Sequence, residues 1–282
     1  MQPFKMMVGD MVNEKQKSYA YGIQSFLSNT GGVIAAILPF VFAYIGLANT
    51  APKGVVPQTV IVSFYVGAAI LVITSALTIF KVKEYDPETY ARYHGIDARA
   101  NHEKVSWIDL LKQAPKAFWT VALVQFFCWF AFQYMWTYSA GAIAENVWQT
   151  TDASSSGYQA AGNWYGVLAA VQSIAAVVCS YVLAKVPNQY HKAGYFTSLA
   201  LGALGFFSIF FVTDQYVLVG SYILIGIAWA GILTYPLTIV TNALSGKHMG
   251  TYLGLFNGSI CIPQIIASLL SFGLYPLLGG QQ

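Results

Sequence analysis

Seven stretches of this chain are long and apolar enough to cross a bilayer as helices: residues 21–47, 60–80, 118–140, 164–183, 195–212, 216–243 and 251–278. Crossing about 30 Å of hydrocarbon takes roughly 20 helical residues. A backbone in lipid must also satisfy its own hydrogen bonds, so only helices and closed barrels span. The expectation is an all-α membrane protein. Composition agrees: 56% of residues are apolar, only 9% are charged, and mean hydropathy is +0.55. Soluble domains carry roughly 25% charged residues.

The charges are unevenly placed. Residues 81–116 hold 13 of the 25 Asp, Glu, Lys and Arg residues, and two apolar runs precede this seam while five follow it. The chain therefore divides into residues 1–80, with two spans, a loop over 81–117, and residues 118–282, with five spans. Within the loop, Trp107 to Leu111 reads either as a short amphipathic helix on the membrane surface or as a solvated linker. Thirteen of the 14 basic residues fall on alternate loops, with only Lys53 on the other side. By the excess of Lys and Arg on cytoplasmic loops, the N-terminus is inside and the C-terminus outside. Tyr44, Trp148, Trp164, Tyr195 and Tyr216 lie near span ends, as an interfacial belt would.

The net charge of +3 lies between spans and argues orientation, not nucleic-acid binding. Cys128, Cys179 and Cys261 fall inside apolar runs with no metal or redox spacing, and read as small packing residues. Neither a metal nor a cofactor is expected. Hydrolytic chemistry at depth needs paired acids, a Ser/His pair or metal ligands, and the spans contain none; an enzyme is not expected. A seven-helix receptor usually has its N-terminus outside, and a retinal pigment needs a lysine in its last helix, which residues 251–278 lack.

The chain also echoes itself. With Asp10 set against Asn242, Lys15 matches Lys247, Gly22 matches Gly254, Ile34 matches Ile266 and Ala35 matches Ala267. Carriers with two six-helix halves repeat equivalent loops in the same orientation. On that count the seven spans are helices five to eleven of twelve, the others being missing here.

The run His248-Met249-Gly250-Thr251-Tyr252-Leu253-Gly254-Leu255-Phe256-Asn257, followed by Ile262-Pro263-Gln264-Ile265, resembles a signature of sucrose– and maltose–proton symporters. These belong to the major facilitator superfamily and are related to glycoside–pentoside–hexuronide:cation symporters. The opening Gln2-Pro3-Phe4-Lys5 with Gly9-Asp10-Met11 is similar to the end of that family's fourth helix, with Lys5 in place of the usual Arg. The resemblance implies a partial major facilitator fold with seven transmembrane helices in the plasma (inner) membrane. It further implies symport of a disaccharide or other glycoside with a proton by alternating access. One departure concerns the acidic and basic cluster of plant members: Glu145 and Asp152 lie in that region without an arginine. A membrane fragment without transport activity is the alternative.

A sugar offers many hydroxyls and an apolar ring face, so its carrier needs amides and hydroxyls beside aromatic planes. Gln125, Trp129, Gln133 and Trp136 follow at i, i+4, i+8 and i+11 along one face of the third span, with Tyr134 alongside. Asn257, Cys261, Gln264 and Ser268 form a stripe in the last span, where Pro263 interrupts backbone bonding. The substrate-binding candidates are Gln125, Trp129, Gln133, Trp136, Asn257 and Gln264, with helix packing as the competing role. Gln24 and Ser28 share a face of the first span, where packing is expected. Gln172 stands alone in the fourth. Trp229, Tyr235 and Asn242 in the sixth read first as core. No Asp, Glu or His lies at mid-span, so gating or coupling falls to Asp10 and His248 at the inner ends and Glu145 and Asp152 at the outer side.

Overall fold

The structure, a computed structural model, describes residues 8, 11–12, 14–52, 55–83, 85–94, 106–244 and 248–277. Every regular element among them is helical: α1 (Glu14–Tyr44), α2 (Gln58–Lys81), α3 (Pro87–His94), α4 (Trp107–Gln113), α5 (Lys116–Trp148), α6 (Ser156–Leu183), α7 (His191–Ile209), α8 (Val217–Ala243), α9 (Met249–Phe256) and α10 (Gly258–Leu277), with a 3-10 turn at Asn188–Tyr190. Asp10 and Lys53 lie outside the described residues.

Six helices are long and apolar enough to span, with α9 and α10 together making one of them. The run at 195–212 falls largely in α7, whose 19 residues begin with His191 and Lys192 and are less apolar than the six. In the last span Pro263 lies inside the continuous helix α10 and offers no N–H to the Ser259 carbonyl, while a break in the helix falls earlier, at Asn257, before Gly258. Glycine is a poor helix former, and the Ser259 hydroxyl takes up the Phe256 carbonyl there at 2.6 Å.

Starts and stops follow local chemistry. Proline precedes α2, α5 and the 3-10 turn and opens α3, where its missing N–H costs nothing. Ser155 caps α6 by accepting from the Tyr158 N–H at 3.1 Å. Asp214 caps α8 by accepting from the N–H groups of Tyr216 and Val217. Asp86 accepts from Thr89 through both the N–H and the hydroxyl, and these bonds hold its carboxyl below the usual range, so the cap of α3 stays charged. Gln149 closes α5 in the left-handed conformation, at φ 52°.

Helix α8 is the hub. It packs against α7, α6, α1 and α5, while α10 lies on α5 and α2 lies mainly on α1. Most of α8 is buried, whereas Thr59 is the buried residue of α2. In lipid there is no hydrophobic drive between helices, so close packing needs small residues. Gly202 of α7 faces Ala228, Gly231 faces Ser198, and Gly226 faces the Gln172 carbonyl of α6. Ser208 and Ser221 share a hydrogen bond at 2.7 Å across α7 and α8.

Helices α1 and α6 meet along their length. Gly22 sits against Ala184, Ser25 and Ser180 share a buried hydrogen bond at 2.9 Å, and a Cβ on Gly32 would lie 3.1 Å from the Ser173 hydroxyl. The buried polar stripe of α1 is thus Ser25 and Asn29, while Ser28 is exposed and Gln24 half-buried. The inward face is turned by one residue, about 100°, from the one expected. At the far end the Asn49 amide donates to Asn163 at 3.3 Å and accepts from Thr59 at 2.8 Å. Tyr195, expected in the interfacial belt, is buried and packs on Tyr235. Cys261, expected as a packing residue, is exposed.

Gly226→Val is expected to destabilise by about 1–3 kcal/mol, because the added carbon meets backbone that cannot yield. Gly220→Ala, with no neighbour within 4 Å of its Cβ, is the control. Thermal unfolding in detergent checks both.

Candidate functional site

Pro236 sits inside α8 and has no N–H for the carbonyl of Ile232, four residues earlier. That carbonyl accepts instead from the Gln125 side-chain amide of α5, at 3.0 Å. Gln125 is only 1% exposed, so this bond forms away from solvent. The same face of α5 continues with tryptophans. Trp129 and Trp136 both pack edge-on against Trp229 of α8, each with ring centroids 5.4 Å away, and Phe132 lies 4.9 Å from Trp229. Edge-to-face contacts of this kind set ring orientation as well as burying area.

One turn beyond Trp129, the Gln133 amide donates to the Ser268 hydroxyl of α10 at 3.4 Å. Ser268 itself donates to the Gln264 carbonyl at 2.8 Å, and the Asn257 amide donates to the Cys261 sulfur at 3.4 Å. The stripes expected on the third and last spans therefore meet only where Gln133 reaches Ser268, with α5 between α8 and α10. Gln125 and Trp129 turn toward α8, Gln133 toward α10, and Trp136 reaches the edge at 38% exposed.

Several buried polar atoms in this region have no hydrogen-bond partner among the described residues: Gln125 Oε1, Trp129 Nε1, the Tyr134 hydroxyl, Thr234 Oγ1 and the Tyr235 hydroxyl. Buried polar groups are nearly always paired. The open atoms here do not share one site: Gln125 and Trp129 face α8, Tyr134 packs on Phe130 and Tyr138, and Tyr235 packs on His191 and Tyr195 of α7. Tyr235 was singled out in the sequence with core as its first reading, and Thr234 was not. Pro236 was the available clue, since it orphans a carbonyl, but its partner lies 107 residues away.

The remaining candidates lie apart. Glu145 is exposed in the last turn of α5. Asp152 is exposed in the following loop and accepts from both the N–H and the hydroxyl of Ser154. His248 stands at the other end of the bundle, before α9, with φ 53°. No cluster of three or more metal-binding side chains occurs among the described residues.

The sequence matches the family model of the Major Facilitator Superfamily over residues 2–268. The chain belongs to the major facilitator superfamily. Neither the search of curated proteins nor that of solved structures returns a match. As a major facilitator it is a membrane transporter of small molecules, and its spanning helices place it in the bilayer.

Removing Gln125 as Gln125→Leu is expected to cost about 1–3 kcal/mol, since the Ile232 carbonyl is left bare. Pro236→Ala supplies the missing N–H, so the double variant recovers most of that loss in thermal unfolding. Additive losses would contradict the pairing.

Proposed function

We propose that this facilitator is a secondary carrier that moves a disaccharide of the sucrose or maltose type together with a proton by alternating access. The observation that supports the substrate class is the row on α5 in which Gln125, Trp129 and Trp136 pack against α8 and Gln133 reaches Ser268 of α10. Indole edges and faces suit a sugar's apolar ring, and the open Gln125 Oε1, Trp129 Nε1 and Tyr134 hydroxyl suit its hydroxyls. The signature from His248 to Ile265 supports the same assignment. In this reading the spans correspond to helices five to eleven of a twelve-helix carrier, with residues 1–80 and 118–282 in its two halves. The N-terminal end and the basic loops face the cytoplasm across the plasma membrane.

Alternating access requires the α1–α6 contact to part at one end while it holds at the other. Ser25 with Ser180 and Asn49 with Asn163 are the polar ties that exchange. Proton coupling runs through Glu145 and Asp152 at one end and Asp10 and His248 at the other, since the spans bury no carboxylate at mid-depth.

The test is uptake of radiolabelled sucrose and maltose into proteoliposomes containing the full chain, with and without an inward proton gradient. Gradient-driven accumulation that a proton ionophore abolishes is expected. Gln133→Ala and Trp129→Ala should each raise the half-saturating sugar concentration about tenfold, the size of one lost buried hydrogen bond or ring contact. Uptake indifferent to the ionophore sinks the coupling; no saturable uptake of either sugar sinks the substrate class.

A further inference from the structure

We propose that the pocket between the α1–α2 turn and the start of α6 is a sugar site separate from the α5 row, sized for one neutral monosaccharide ring. The pocket has a volume of about 360 Å³, at the small end of ligand cavities. It lies at the end of the bundle opposite the charged loop, and no residue of α5, α8 or α10 lines it.

The lining divides by chemistry. Helix α6 and the loop before it supply Ser154, Gln159 and Asn163, while the α1–α2 turn and α2 supply Pro52, Val55, Pro57 and Val60. Asn49 joins the two sides by donating to Asn163 Oδ1 at 3.3 Å. Thr59, fully buried, holds Asn49 in turn: its hydroxyl donates to Asn49 Oδ1 at 2.8 Å, and its N–H to the Ala48 carbonyl at 3.3 Å. Across the pocket, Asp152 accepts from the N–H and the hydroxyl of Ser154, and the hydroxyls of Thr150 and Ser155 share a bond at 3.0 Å. Both sides are therefore fixed by the fold.

Open amides and missing charge select the occupant. Asn163 uses its oxygen to accept from Asn49, so its two N–H donors stay open among the described residues. Gln159, one turn earlier on the same face, makes no side-chain hydrogen bond among them. Covering these amides with an apolar tail would leave them unpaired, which costs more than the bond is worth. Hydroxyls both donate and accept, and so answer both groups. No charged side chain lines the pocket among the described residues, so an ionic solute would lose hydration without a counter-charge. The prolines and valines suit the C–H face of a ring. Gly162, between the two amides on α6, keeps the space clear: a Cβ there meets no heavy atom within 4 Å.

The experiment uses the full chain in nanodiscs, carrying Gly162→Cys, with the rate of labelling by a water-soluble maleimide read at residue 162 by mass spectrometry. Glucose is expected to slow that labelling along a saturating curve. Glucuronate, the same ring with a carboxylate, should need about tenfold more, and so should glucose when Gln159→Leu is added, the equal of one lost hydrogen bond. The sugar-free labelling rate reports that the double variant keeps its fold. Ser156→Cys, exposed on α6 outside the lining, should label independently of glucose. A rate at residue 162 indifferent to glucose overturns the site, and so does equal slowing at residue 156. Equal protection by glucuronate overturns the selection of a neutral ring, and protection unchanged by Gln159→Leu overturns the amide contacts. Transport is not part of the readout, so failure of the carrier reading and failure of this site are seen separately.

Discussion

The carbonyl of Ile232 is the group on which the inner architecture turns. Inside lipid, a backbone oxygen left without a donor costs far more than one facing water. Pro236 removes the intrahelical donor, so another chain segment must supply it, and Gln125 does. That requirement fixes α5 against α8 in both register and rotation. Once Gln125 is turned toward Ile232, helical spacing brings Trp129 and Trp136 onto Trp229 and sets Gln133 within reach of α10.

Helix α8 can serve as the hub because its neighbours approach closely. Glycines at 202, 226 and 231 let α6, α7 and α8 pack backbone to side chain. Contact through small residues and scattered hydroxyl pairs suits a transporter, since such interfaces hold by shape and a few polar ties. By contrast, α2 presents apolar side chains nearly all round and packs mainly on α1. Its outer surface needs only hydrocarbon, which makes no directional demand.

The candidate site was partly legible from spacing. Four residues at helical intervals on the third span pointed to one face, and the structure sets Gln125, Trp129 and Trp136 against α8 and Gln133 against α10. Trp229, Thr234 and Tyr235 were not separable from core, because every side of a central helix looks apolar in a chain this hydrophobic. Helix α1 shows the same difficulty: Gln24 and Ser28 carry as much polarity as Ser25 and Asn29, yet only the latter pair is buried. The gating candidates stay scattered, Glu145 and Asp152 at one end and His248 at the other.

Hydrophobic length, charge placement and the proline and serine caps are properties of contiguous residues. They determined that the chain is helical, that it belongs in a bilayer, and where most helices begin and end. Superfamily membership follows from the same linear pattern. Which face of each helix turns inward depends on partners a hundred or more residues away, as Gln125 with Ile232 and Ser25 with Ser180 show. Only the tertiary structure decided those pairings. The break at Asn257, by contrast, has a local cause in Gly258 and in the Ser259 hydroxyl that takes up the Phe256 carbonyl.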